Sequence, residues 1–132
     1  MIEKDSGFNA SNAGLFYEFA TVLRDGFVSK SVPLLLTMIQ NDERATQCTS
    51  FELLGGIVKA LNHFSAQQFR DAVKALLPVL ALLRDFTLNK LAILDASSML
   101  RWALTNRDPR RYTFLLDLLL PSTRTIELCS MI

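Results

Sequence analysis

Residues able to do chemistry are few in this chain, and they stand apart from one another. There is one histidine, His63, and there are two cysteines, Cys48 and Cys129, 81 residues apart. A general base needs a nucleophile or substrate proton within reach and usually an orienting partner. No Gly-x-Ser-x-Gly, paired carboxylate or Cys–His signature accompanies His63. It is read as a helix-end histidine satisfying a carbonyl. Cys48 lies on an apolar face and is read as core rather than as a nucleophile. The cysteine spacing contains no CxxC and no Cys/His pattern, which excludes a disulfide framework and a zinc site and fits a reducing compartment. Gly55-Gly56 has neither a preceding strand nor a following Lys-Ser/Thr, so it is no phosphate loop. The sequence therefore assigns no catalytic, metal or cofactor-binding residue.

One charged cluster remains. Arg107, Arg110 and Arg111 surround the start of a predicted helix, where three guanidiniums and the positive dipole end would suit a polyanion such as an inositol polyphosphate. The competing reading is a solvated face on which these arginines pair with Asp108 and Asp117. Trp102 and Tyr112 are read as packing residues, because no basic stripe surrounds them to make a base-stacking platform.

The whole chain supports this sparse inventory. It has 132 residues, enough for one domain with a modest core. Half are apolar and 20% are charged, against roughly 25% charged in an average soluble domain. Either the core is unusually full or part of the apolar surface expects a neighbour. A formal net charge of +1 gives no global attraction to nucleic acid or to an anionic membrane. No apolar run reaches the roughly 18 residues that span a bilayer, and Met1-Ile2-Glu3-Lys4-Asp5 lacks the pattern of a signal peptide. A soluble intracellular protein is expected.

The apolar periodicity is helical almost throughout, with no alternation of period two. Residues 1–11 are polar and read as a flexible tail. A first helix is predicted from Asn12 to Arg24, with Phe16, Phe19, Ala20 and Leu23 as its buried stripe and Gly26 as its terminator. Ser31 is predicted to cap a second helix, with Pro33 in its first turn and Leu35, Leu36 and Ile39 buried. Asn41-Asp42-Glu43 opens a third, reaching Asn62, whose Gly55-Gly56 pair predicts close approach of another helix. Ser65 and Gln68 form a capping box for a fourth. It carries Phe69, Val73, Leu76, Leu80 and Leu83, and Pro78 is expected to kink or split it. A fifth helix runs from Thr87 to Leu104. Asp108-Pro109 starts a sixth that buries Tyr112, Leu115, Leu116 and Leu119, and Pro121 ends it.

These helices repeat. Val32-Pro33-Leu34-Leu35-Leu36 and Leu77-Pro78-Val79-Leu80-Ala81 have the same shape 45 residues apart, and Pro121 follows Pro78 by 43. Each of the first two is followed by an aspartate, Asp42 or Asp85, just before a new helix. Two helices in about 43–45 residues match the HEAT period. The expected fold is all-α, HEAT/armadillo-like, with about three stacked antiparallel helix pairs over 12–132. An irregular single-domain bundle is the alternative. Stacked pairs share a continuous core and leave apolar faces at both ends, which accounts for the apolar excess.

The stretch Gln47-Cys48-Thr49-Ser50-Phe51-Glu52-Leu53-Leu54-Gly55-Gly56-Ile57-Val58-Lys59 resembles a segment of the large HEAT-repeat activators that cap the proteasome core particle. His63-Phe64 matches that family's His-aromatic pair at the helix end. Asn106-Arg107-Asp108-Pro109-Arg110-Arg111, followed by Phe114-Leu115-Leu116-Asp117-Leu118-Leu119-Leu120, is similar to its Arg-Asp-Pro-Arg-Lys string and aromatic-leucine helix. The likeness spans residues 14–120. Cys48 stands one place from the family's cysteine, and 65–104 agrees in helical pattern more than in letters. The motif residues are Gln47, Glu52, Gly56, His63, Asp108 and Pro109.

The resemblance implies a segment of a curved helical dome that admits peptides or unfolded proteins to the proteasome without ATP, in nucleus and cytoplasm. Its implied partners are the proteasome core particle and neighbouring HEAT repeats of the same scaffold. The family's tyrosine-bearing C-terminal tail has no counterpart in Leu128-Cys129-Ser130-Met131-Ile132, nor does its acetyl-lysine-binding region match here. Its inositol-phosphate sites do not map onto Arg107, Arg110 or Arg111. The competing reading is a stand-alone helical domain that binds a partner's amphipathic helix in an apolar groove.

Overall fold

A computed structural model of the chain describes residues 7–85, 90–105 and 112–113. Within them the order is α1 (Ala10–Ile39), α2 (Arg44–Ala60), a 3₁₀ turn (Leu61–His63), α3 (Ala66–Asp85) and α4 (Lys90–Leu104). The chain is all-α, and no strand occurs among the described residues.

α1 joins what the sequence divides into two helices. Asn9 caps it, its side chain accepting the amides of Ser11 at 2.8 Å and Asn12 at 3.2 Å. Residues 7–11, expected to belong to a polar tail, thus form the lead-in and first turn of α1; the first six lie outside the described residues. The helix is broken at Arg24, with φ 58° and ψ −139°. The break was expected at Gly26, but Gly26 keeps a negative φ and the unusual conformation falls on an arginine. Its guanidinium donates to the carbonyl of His63 and lies 5.7 Å from the Phe64 ring centroid. Those contacts hold a conformation that costs roughly 1–3 kcal/mol outside glycine.

The second half of α1 resumes directly after the break, so Ser31 is not its cap. Ser31 is buried and donates to the Phe27 carbonyl at 2.8 Å. Pro33 therefore sits mid-helix. Its missing N–H leaves the Ser29 carbonyl without its usual donor, and Ser29 is an exposed residue, where that loss is least costly. The same holds for Pro78, which does not split α3: it is exposed, as is Lys74 four residues earlier. Leu35 and Ile39 are buried as expected, while Leu36 is half-buried.

The predicted capping box at α3 forms in both directions. The Ser65 hydroxyl accepts from the Gln68 amide at 3.2 Å and Gln68 accepts from the Ser65 amide at 3.1 Å. At α2, Asn41 takes the Glu43 amide at 2.7 Å, and Glu43 makes no side-chain cap.

α2 is the centre of the fold, with Ser50 through Val58 all buried. α1 and α4 both pack on it, while α3 lies against α1. The Gly55-Gly56 pair sets both approaches. A β-carbon on Gly56 would lie 2.6 Å from the Tyr17 amide nitrogen and 2.8 Å from the Ala13 carbonyl oxygen. One on Gly55 would lie 2.8 Å from Met99 Cγ of α4. Tyr112 is buried as expected. The rest of the predicted sixth helix, with Leu115, Leu116 and Leu119, lies outside the described residues.

Candidate functional site

Glu52, Gly56, Lys59 and His63 follow one another at spacings of four, three and four, which puts them on one face of α2 and its terminal turn. Each touches α1. Glu52 is buried and accepts the Asn9 amide at 2.7 Å and the Asn12 side-chain amide at 3.2 Å. Gly56 lets the α1 backbone close in. The Lys59 ammonium lies 5.3 Å from the Tyr17 ring centroid and 4.2 Å from that of Trp102, so it links α1 to α4 across α2. His63 Nε2 bonds the Tyr17 hydroxyl at 2.6 Å. The histidine was expected to satisfy a carbonyl; its ring instead meets a phenol, and its own carbonyl is the acceptor for Arg24. One turn earlier than Glu52, the Gln47 side-chain amide donates to the Ile39 carbonyl at 3.3 Å, closing the end of α1.

A second polar node joins α2 to α4. Asp95 is fully buried and pairs with the Arg44 guanidinium, while Cys48 Sγ lies 3.3 Å from Asp95 Oδ2. Burial pushes the Cys48 thiol up to about 11, and the adjacent Asp95 adds to the shift. A thiol held protonated is a poor nucleophile, which agrees with the core reading of Cys48. Burial also raises Glu52, opposed by its bonds from Asn9 and Asn12. Asp95 acts as the hydrogen-bond partner that holds Arg44 charged.

None of this assembles a catalytic constellation. Among the described residues no group of three or more His, Cys, Asp or Glu could hold a metal ion, and no helix is long and apolar enough to cross a membrane. Of the sequence-selected residues, Gln47, Glu52, Gly56 and His63 are brought together along α2. Arg107, Asp108, Pro109, Arg110 and Arg111 lie outside the described residues.

The surface that could engage a partner was missed in the sequence. Of the stripe Phe16, Phe19, Ala20 and Leu23, only Ala20 is buried, and Phe16 is half-buried. The inward face is Ala13, Phe16, Tyr17 and Ala20, of which the first three come closest to Gly56. The outward face carries Leu15 at 58%, Phe19 at 53%, Val22 at 77% and Leu23 at 56% exposure. Their spacing of four, three and one makes a single apolar stripe. Beyond the break it opens on a concavity of about 200 Å³ lined by Leu23, Gly26, Phe27 and Lys30. Leu34 extends the exposed apolar surface along the second half of α1. The stripe lies on the part of α1 that neither α2 nor α3 covers. Burying four half-exposed side chains contributes about 1 kcal/mol each at the usual value per unit of apolar area.

A protein-family model described as "Proteasome activator complex subunit 4-like, HEAT repeat-like" matches residues 1–130. Comparison with curated proteins and with solved structures returned no match.

Proposed function

This chain belongs to the proteasome activator complex subunit 4-like, HEAT repeat-like family, and we propose that it serves as a scaffold segment of an ATP-independent proteasome activator. In this reading it has no catalytic role. It helps build a helical wall that binds the proteasome core particle and admits peptides or unfolded proteins. The observation that carries the reading is the exposed apolar stripe of α1, Leu15, Phe19, Val22 and Leu23, on a helix whose other sides pack on α2 and α3. A stacked-helix scaffold needs such a face, because each pair buries its outer surface only against the next. Leu15, Phe19, Val22 and Leu23 meet a neighbouring HEAT pair of the same scaffold, and assembly on the core particle follows from that continuity. The sites of action are nucleus and cytoplasm.

The test is a charge placed on this stripe of the protein in cells. Phe19→Asp with Val22→Glu touches exposed positions, so thermal stability should stay close to wild type while co-purification with core-particle subunits falls at least tenfold. Undiminished co-purification would contradict the role given to this face.

One feature favours the second reading, a domain that takes a partner's amphipathic helix. The concavity at the α1 break is apolar with Lys30 at its rim. It would accept one large apolar side chain beside an acidic residue. A stand-alone domain of this kind would be monomeric and melt cooperatively, whereas an exposed stacking face promotes self-association.

If the Arg107, Arg110 and Arg111 cluster binds a polyanion, replacing all three with alanine abolishes inositol-hexakisphosphate binding measured by calorimetry. Absence of binding by the unmutated chain ends that part of the proposal.

A further inference from the structure

Gly7, Phe8 and Asn9 precede α1 without helical structure and cross from α4 to α2. Three contacts seat them. The Gly7 amide donates to Asp95 Oδ1 of α4 at 2.9 Å. The Phe8 ring packs on Trp102 of α4, centroids 6.0 Å apart, and lies over Gly55 of α2. The Asn9 amide donates to Glu52 of α2 at 2.7 Å. Two buried carboxylates, on two different helices, thus each take a main-chain N–H from this short segment. Each keeps other donors, Arg44 and Cys48 at Asp95 and Asn12 at Glu52, so the segment adds one bond to each of two satisfied acceptors.

The seat is also fitted sterically. A β-carbon on Gly7 would run into Cys48 Sγ and come within 3.3 Å of the Arg44 guanidinium, the two groups that meet Asp95. Glycine is needed here for close approach rather than for backbone conformation, since its φ is not positive. The segment therefore rests on the polar node that fastens α4 to α2.

We propose that residues 7–9 are a detachable clasp. Seated, the clasp locks α4 onto α2 at the Asp95–Arg44 pair; released, it loosens α4. Anything that engages the N-terminal segment then controls the packing of a helix whose contact residue is 88 positions away. The coupling is physical: release takes one N–H donor from Asp95, one from Glu52 and the aromatic partner from Trp102. It also uncaps the first turn of α1, since Asn9 accepts the Ser11 and Asn12 amides. The body of α1 stays anchored through Gly56, Lys59 and His63, whereas α4 loses its contacts to the segment at Asp95 and Trp102.

Hydrogen exchange on the full chain tests this, with Gly7→Val as the releasing variant. The amides of Leu94 to Ala103 should exchange at least tenfold faster than in wild type, while those of Leu61 to Val79 stay within twofold. In a Cys129→Ser background, Cys48 should become correspondingly more open to a thiol reagent. If Gly7→Val loosens the whole chain, Gly7→Ala decides, alone and with Cys48→Ala. The second substitution removes the obstructing sulfur, so it should restore the exchange protection of Asn9 and of α4. Unchanged α4 exchange with a freely exchanging Asn9 amide overturns the clasp, because the segment would then be passive. Unchanged Asn9 exchange in Gly7→Val, or no restoration by Cys48→Ala, also overturns it, because the steric seat would not exist.

Discussion

Replacing Gly56 with alanine is the substitution most directly answerable to this packing. The added methyl carbon would lie 2.6 Å from the Tyr17 nitrogen, 2.7 Å from Phe16 Cβ and 2.8 Å from the Ala13 oxygen. Two of those three atoms are α1 backbone, so no side-chain rotation relieves them. α1 must lift off α2. Overpacking of this kind costs typically 1–3 kcal/mol, and rigid neighbours place it at the upper end. Alanine returns about 1 kcal/mol of helix propensity over glycine. The net expectation is a loss of about 2 kcal/mol, or about 8 °C in melting temperature for a chain of this length. Gly55→Ala is the comparison beside it. There the single clash is Met99 Cγ at 2.8 Å, near the root of a buried side chain, so Gly55→Ala should also destabilise, but less than Gly56→Ala because no backbone atom is struck. Gly26→Ala meets nothing within 4 Å and should stabilise by up to about 1 kcal/mol. Urea denaturation at equilibrium measures all three. A Gly56→Ala chain as stable as wild type, or as stable as Gly26→Ala, would refute the close approach of α1.

The α1 break gives a comparison between two substitutions. Arg24→Ala keeps the unfavourable φ and loses the contacts to His63 and Phe64, whereas Arg24→Gly loses the same contacts and relieves the backbone. Arg24→Gly should therefore be more stable than Arg24→Ala by about 1–2 kcal/mol in denaturant melts, after allowing for glycine's unfolded-state entropy; equal stability would mean the break carries no strain. Cys48 predicts an alkaline effect. Its folded thiol titrates near 11 against an ordinary 9.0, so the folded state holds a proton that the unfolded state has lost between those values. Stability should be unaffected below pH 9 and decline as pH rises toward 11, beyond the decline of a Cys48→Ala chain in a Cys129→Ser background. Parallel pH profiles for the two chains would contradict the burial of that thiol.

Much of this fold was legible because it is local. The Ser65–Gln68 box, the Gly55-Gly56 contact and the burial of Leu35, Ile39, Leu76 and Leu80 follow from spacing and from what each residue type does to a backbone. What failed depended on which neighbour α1 faces. Phe19 and Leu23 look like core by hydrophobicity alone, yet Ala13 and Ala20 are the buried positions, and Gly56 is met by the backbone of Ala13 and Tyr17 and by Phe16 Cβ. Pro33 was read as a helix start and Pro78 as a kink or split; both sit inside helices, four residues after exposed Ser29 and Lys74. Glu52, Gly56 and His63 were grouped by the family resemblance alone, without Lys59, while their partners Asn9, Asn12 and Tyr17 lie tens of residues away. No local rule joins Gly7 to Asp95.

The central claim is membership of a working proteasome activator scaffold. A native extract should be fractionated by size and probed with an antibody raised to residues 65–85, with core-proteasome subunits followed through the same fractions. Co-migration with the core particle is the predicted result, and it should be lost when Phe19 and Val22 are replaced by acids. A signal that never meets the core particle in any fraction would contradict the scaffold reading and leave the helix-binding domain in its place.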